Sequence, residues 1–126
     1  RNDFTFLGEI LAQGHPVLMY PEGTRGSHRD GQQLGKFQPG VGVLAKKCEV
    51  SVIPCAVKGT EQLLTKTRGM IHFIRVLLSP RLLERRKIIV SFEEPVLPRT
   101  TTGEKKSPPE ITKEVRDAVQ NLLDAM

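Results

Sequence analysis

Tryptophan is absent from this 126-residue chain, tyrosine occurs once and cysteine twice. With so few aromatic side chains, and no run of them interleaved with Lys and Arg, the chain lacks the platforms on which bases stack, so nucleic acid is not expected as a partner. Cys48 and Cys55 are too few for a disulfide framework and lack the paired spacing of a zinc site, so neither a cross-linked fold nor a structural metal is expected. A reducing compartment fits best. Long hydrophobic runs are missing too: the most apolar stretch, residues 70–83, is interrupted by His72, Arg75, Pro80 and Arg81. Nothing of that kind spans a bilayer, and any membrane contact by these residues is expected to be peripheral.

What is present is ordinary for a globular chain. A hydrophobic share of 38% and a charged share of 26% are enough for one modest core, hence one domain or part of one. Nineteen Lys and Arg against fourteen Asp and Glu leave a formal charge of +5. That excess suits a polyanion, an anionic membrane surface or a phosphorylated ligand, and it equally suits plain solubility; position has to decide. The chain opens on Arg1, and Phe4, Phe6, Leu7, Ile10 and Leu11 begin an apolar pattern at once, the pattern expected of a fragment cut from a preceding element.

Asn2 or Asp3 can cap a helix running to Gln13, with Gly14 as its stop. Residues 16–20, PVLMY, read as a short buried strand ended by Pro21. Residues 22–35 then turn to Gly, Ser, Arg, Asp and Gln, a loop composition placed after the C-terminal end of a strand, where ligands gather in open α/β sheets. After Pro39 and Gly40 a helix is expected with Val41, Leu44, Ala45 and Cys48 on one face and Lys46 and Lys47 outward. Residues 50–57, VSVIPCAV, read as another buried strand, so strand, helix and strand suggest a right-handed crossover between parallel strands. Thr60 can cap a short helix, residues 68–86 are open between strand, helix turn and apolar loop, and residues 87–92 read as one more strand. Residues 99–109 form a polar linker. Ser107, Pro108, Pro109 and Glu110 fit a capping box that opens an amphipathic helix over 110–126, with Ile111, Val115, Ala118, Val119, Leu122 and Leu123 on its apolar stripe.

The segment with chemical content is residues 20–25, YPEGTR. Pro21 stops the ladder. Gly23 has no side chain, so backbone N–H groups can approach an anionic oxygen. Arg25 carries a planar fork that matches two phosphate oxygens, and Thr24 adds a hydroxyl donor. Glu22 can orient Arg25 or accept a hydrogen bond from a ligand hydroxyl. The same residue types also suit a simple turn with a surface Glu–Arg pair.

Beyond residue types, the block resembles the hallmark of the 1-acylglycerol-3-phosphate acyltransferases and their lysophospholipid acyltransferase relatives, a PEGTR-type block after a short apolar strand. Such a pentapeptide arises by accident in a chain of this length with odds on the order of one in ten thousand. The surroundings are similar as well. Lys36, Phe37 and Gly40 in GKFQPG stand where that family has a basic–Phe–Gly block, and VSVIPCAVKGT stands where it has an apolar strand around a proline followed by Gly-Thr. The resemblance covers about residues 1–98. Ser51 departs from it where a first proline is usual, and Gln38-Pro39 departs where basic residues are common, which leaves subfamily and acceptor open.

The resemblance implies an α/β fold with a mainly parallel sheet and crossover helices. The chain would be the C-terminal portion of one acyltransferase domain: core 1–98, linker 99–109 and terminal helix 110–126. It implies acyl transfer from acyl-CoA or acyl-carrier protein to a hydroxyl of a lysophosphatidic acid-type acceptor, with no cofactor beyond that co-substrate. The acceptor phosphate would be held by Glu22, Gly23, Thr24, Arg25 and Lys36. The alternatives are an acyltransferase acting on another lysophospholipid or on glycerol 3-phosphate, and a non-catalytic binder of anionic lipid. An anionic membrane surface is a further expected partner, met by Arg81, Arg85, Arg86 and Lys87 if these do not simply face solvent, with the protein on the cytoplasmic face.

The family's catalytic His precedes an Asp by five positions in an H-x-x-x-x-D block upstream of PEGTR. Here His15 is followed at that offset by Tyr20, His28 by Gln33 and His72 by Leu77. No catalytic residue is therefore expected within this chain, and the isolated chain is expected to be inactive. His28 with Asp30 is the one rival base and orienter, at a loop spacing that seldom gives the needed geometry.

Overall fold

The computed structural model describes residues 3–23, 34–59 and 87–126. The helix expected from Thr60 and the ambiguous segment 68–86 lie outside them. Helix α1, Asp3–Ala12, turns Phe4, Leu7, Ile10 and Leu11 to its half-buried side. It stops where expected. Gly14 sits at φ 83°, its N–H reaching the Leu11 carbonyl at 3.0 Å while that of His15 reaches Ile10 at 3.2 Å, so the last carbonyls of the helix are satisfied.

Residues 15–20 alternate in burial as a strand does: Val17 and Met19 are half-buried, Leu18 and Tyr20 exposed. They pair with no strand among the described residues. Phe4 and Met19 instead approach Gly40, at the start of helix α2, Gly40–Cys48. The apolar face of α2 buries Val41, Gly42, Leu44 and Ala45, with Lys47 exposed and Lys46 and Cys48 half-buried. It ends on Glu49 in the left-handed conformation, φ 54°, a position usually given to Gly or Asn.

Strand β1, Cys55–Lys58, pairs antiparallel with β2, Ile89–Phe92, with Cys55 opposite Phe92 and Lys58 opposite Ile89. Beyond it Val52 and Val96 exchange N–H···O bonds of 2.9 and 2.8 Å. Between these two pieces Pro54, which has no N–H to give, is buried and accepts from the Glu93 amide at 3.1 Å. Two expectations are corrected here. The segment 50–57 is not one continuous strand, because Pro54 divides its pairing. The parallel crossover between 16–20 and 50–57 is not formed among the described residues, since β1 takes a strand from later in the chain and takes it antiparallel. Among the described residues the architecture is three helices with a two-stranded sheet, covered on one face at Ala56. Ala56 is 3% exposed on that face, while Val57, Val90 and Phe92 are exposed on the other.

Helix α3, Pro108–Ala125, begins with the expected capping box: Glu110 N–H donates to the Ser107 hydroxyl at 3.4 Å, and the Ser107 N–H to the Glu110 carboxylate at 3.3 Å. Its stripe sets Ile111, Val115 and Leu122 into the interior, Ile111 with no exposure at all. Ile111 and Val115 form one cluster with Phe37 and Ala45, against which Leu34, Val52, Val96 and Val119 pack. Enclosing a side chain like Ile111 is worth about 1.5–3 kcal/mol. The stretch before α3 is ordered, not a loose tether. Thr100 donates to the Glu104 carbonyl, Gly103 to that of Thr100, and Arg99 and Lys105 form an antiparallel bridge. The turn is tied to the end of α2, since Arg99 and Lys105, the latter at 2.9 Å, both pair with Glu49.

Two stability experiments follow from these contacts. At Gly42 a methyl group would overlap the Pro108 carbonyl and the Thr112 hydroxyl, whereas at Gly8 it would meet only the Cys48 sulfur at an ordinary 3.5 Å. Gly42→Ala is therefore expected to lose about 1–2 kcal/mol net, overpacking outweighing the gain in helix propensity, while Gly8→Ala gains up to about 1 kcal/mol. Thermal melts of the two variants should shift in opposite directions. The second concerns acid. Hydrogen bonding from Lys105, then from Arg99, holds the Glu49 carboxyl below the usual carboxylate range. A carboxyl depressed in the folded state contributes stability above its unfolded pKa, and that contribution is lost as pH falls through the folded value. Glu49→Gln should melt below wild type near neutrality and converge with it at the acid end of a pH series.

Candidate functional site

The YPEGTR block begins in a tight turn. Gly23 donates its N–H to the Tyr20 carbonyl at 3.1 Å, Pro21 presets the second position, and Gly23 adopts φ 68°, which a side chain would strain. This corrects one expected detail. The Gly23 amide closes the turn, so the contribution of Gly23 is a backbone conformation and not a donor for an anion. Thr24 and Arg25 lie outside the described residues, as do His28, Asp30, His72, Arg81, Arg85 and Arg86. His15 and Lys87 are exposed.

Glu22 is half-buried, and its carboxylate accepts the Gly35 N–H at 3.2 Å. A bond between residues 22 and 35 spans the segment carrying Thr24 and Arg25, and a second, from the Gln38 N–H to the Pro21 carbonyl at 2.7 Å, lies just beneath it. The loop is thus drawn together at its base. Sequence reasoning gives Glu22 a ligand hydroxyl or Arg25; the structure gives it the main chain of the loop's far end.

The returning limb has an alternating environment of its own. Leu34 packs against the core and Phe37 is buried in it, while Lys36 and Gln38 are exposed. Lys36 makes no hydrogen bond or ion pair with a described residue, and stands one position after the Gly35 amide that Glu22 holds. It is the described cation nearest in sequence to the latch.

Two residues absent from the expected site complete the base. Arg116 of α3 donates from Nε to the Gly35 carbonyl at 3.2 Å and from Nη2 to the Leu34 carbonyl at 3.0 Å, and Gln120 Oε1 accepts the Leu34 N–H at 3.3 Å. Their sequence signal is faint. Each directly follows an apolar stripe residue, Val115 and Val119, so each sits at the rim of the buried face, where a polar side chain can reach an adjacent segment. Amphipathic spacing marks that rim without saying what lies across it. A separate surface depression of about 470 Å³, lined by Val96, Arg99, Lys106 and Glu114 among others, includes none of the motif residues, and its Lys106 is closed on Glu114 at 2.7 Å.

Comparison with known proteins agrees with the motif. Residues 3–58 match the Acyltransferase family. Over 73 residues the chain is 36% identical to a chloroplastic 1-acyl-sn-glycerol-3-phosphate acyltransferase of Arabidopsis thaliana and 34% identical to one of Brassica napus, in each case over 56% of this chain and 20% of the relative. The chain thus spans about a fifth, 20%, of the length of these curated relatives. No solved structure matches it. The stretch that matches the Acyltransferase family contains α1, the motif turn, Lys36, α2 and β1, and the chain is similar to 1-acyl-sn-glycerol-3-phosphate acyltransferases over part of their length.

Proposed function

We propose that this chain supplies the acceptor phosphate site of an enzyme that transfers an acyl group from acyl-CoA or acyl-carrier protein to a hydroxyl of a lysophosphatidic acid-type acceptor. The observation that carries the reading is the YPEGTR block set on a turn whose base is drawn together by Glu22 and Gly35. A phosphate needs donors held in a fixed frame, and a loop anchored at both ends supplies one. Arg25 takes two phosphate oxygens through its guanidinium fork and Thr24 adds a hydroxyl, with Lys36 as a second positive contact. Glu22 and Gly23 shape the frame.

The base of the reaction belongs to a His-Asp pair elsewhere in a longer polypeptide, since this sequence contains no H-x-x-x-x-D block. The His takes the acceptor hydroxyl proton as that oxygen attacks the thioester carbonyl, and oriented N–H donors hold the tetrahedral oxyanion. Collapse breaks the C–S bond, and the departing thiolate recovers the proton. No acyl-enzyme and no further cofactor is required. The enzyme works at an anionic membrane surface on its cytoplasmic face, which the net charge of +5 favours. No helix among the described residues is long and apolar enough to cross a membrane.

By itself the chain is expected to bind acceptor without turnover, so a thioester-release assay with lysophosphatidic acid should stay at background; release above background would relocate the base to this chain. In the longer polypeptide, Arg25→Lys keeps the charge and loses the fork. A lost charge-assisted bidentate contact of about 1.5–3 kcal/mol lowers kcat/KM for the phosphorylated acceptor roughly ten- to a hundredfold, and leaves KM for the acyl donor nearly unchanged. Wild-type acceptor kinetics in a folded Arg25→Lys enzyme would return the block to a simple turn.

A further inference from the structure

Residues 16–20 run straight into the motif turn with their main chain unpaired. The N–H groups of Val17, Leu18, Met19 and Tyr20 and the carbonyls of Pro16, Val17, Leu18 and Met19 have no hydrogen-bond partner among the described residues. We propose that this stretch is a docking edge for a β-strand of the longer polypeptide, contributed by the part that carries the His-Asp base. This rests on the base lying outside this chain, as proposed above.

The edge is held in place and left incomplete. Val17 and Met19 are half-buried, and Met19 approaches α2 at Gly40. At the far end the Gln38 N–H bonds the Pro21 carbonyl at 2.7 Å and the Gly23 N–H bonds that of Tyr20 at 3.1 Å. Fixed backbone with unpaired polar groups is a template that an added strand completes. Leu18 and Tyr20 alternate with the half-buried pair and are 77% and 80% exposed, so the partner has apolar side chains to cover as well as main chain to pair.

The chemistry argues against the other occupants. Residues 12–21 contain no Lys, Arg, Asp or Glu, so nothing in them attracts an anionic lipid surface, and lipid would leave the amides unpaired. A second copy joined through these few residues falls well short of the roughly 20–30 residues a side of a stable interface. A strand of the same polypeptide faces no such threshold, because its effective concentration is set by the covalent connection. The curated relatives are long enough to supply one, since this chain spans 20% of their length. A paired strand stands about 4.8 Å from its neighbour, and one of its ends would lie beside the turn at Pro21 and Gly23. Docking on this edge therefore brings the base-carrying part to the motif.

Amide hydrogen exchange at Val17, Leu18, Met19 and Tyr20, read in this chain and in the longer polypeptide, is the test. In the chain all four should exchange at close to the free-peptide rate at every protein concentration. In the longer polypeptide at least alternate ones should slow about a hundredfold or more, as paired amides do. Leu18→Lys should leave the thermal melt of the chain unchanged and lower that of the longer polypeptide by several degrees; if that variant fails to fold, exchange in the wild type decides. Free exchange in the longer polypeptide, or its indifference to Leu18→Lys, would overturn the proposal. So would protection in the chain alone, which gives the edge to this chain's own residues, protection that grows with chain concentration, which gives it to a second copy, or protection that needs anionic vesicles. Failure of the underlying reading looks different: thioester release by this chain alone would put the base within it, whatever the exchange shows.

Discussion

Leu34 and Gly35 lie in irregular backbone, where no ladder or helix satisfies their amides and carbonyls, and a half-buried peptide group left without a partner costs about 1–3 kcal/mol. Side chains meet that demand from two directions, Glu22 from the near end of the loop and Arg116 with Gln120 from α3. The rest of the structure depends on this junction. Leu34 and Phe37 can enter the core together only if the backbone between them runs as these bonds hold it, and the core is the same one that seats Ile111 and Val115 of α3. Loop base, core and terminal helix are therefore one cooperative unit.

The position of α3 is set by contacts of little tolerance. Gly42 lets α2 approach until only a hydrogen fits against the Pro108 carbonyl, and Thr112 bonds that same carbonyl at 2.8 Å. The polar turn before α3 is held to the left-handed end of α2 through Glu49. These contacts are remote from the motif in sequence, yet they set where Arg116 and Gln120 stand. A match confined to residues 3–58 contains the motif and omits the helix that binds the Leu34 and Gly35 backbone.

Much of this was legible in the sequence where signals are local. Gly14 as a helix stop, the Ser107–Glu110 capping box and the 111–115–122 stripe depend on neighbours within a turn or two, and the structure has them. The helix after Pro39 and Gly40 was equally plain. The sheet was not, because a run such as VSVIPCAV states that a strand is apolar on both faces without stating which strand comes beside it or in which direction. Pro54 divided that run in a way that hydrophobicity does not register. In the site, YPEGTR announced itself by residue order, but the work of Glu22 depends on a contact thirteen positions away and that of Arg116 on one eighty-one positions away. Such pairings leave no trace in a single sequence except polar side chains at the rim of an apolar stripe.

The functional account joins a phosphate-binding fork to a backbone frame, with catalysis supplied from elsewhere in the polypeptide. Its central claim is spatial: the acceptor headgroup sits over the Tyr20–Gly23 turn. The most direct measurement is an experimental structure of the chain bound to lysophosphatidic acid. The account predicts the phosphate within about 3 Å of the Arg25 guanidinium nitrogens, with the Glu22–Gly35 and Arg116–Leu34 bonds intact beneath it. A headgroup bound away from this turn, for instance against Arg99 and Lys105, or one that reaches Arg25 only after the loop base has opened, would contradict it.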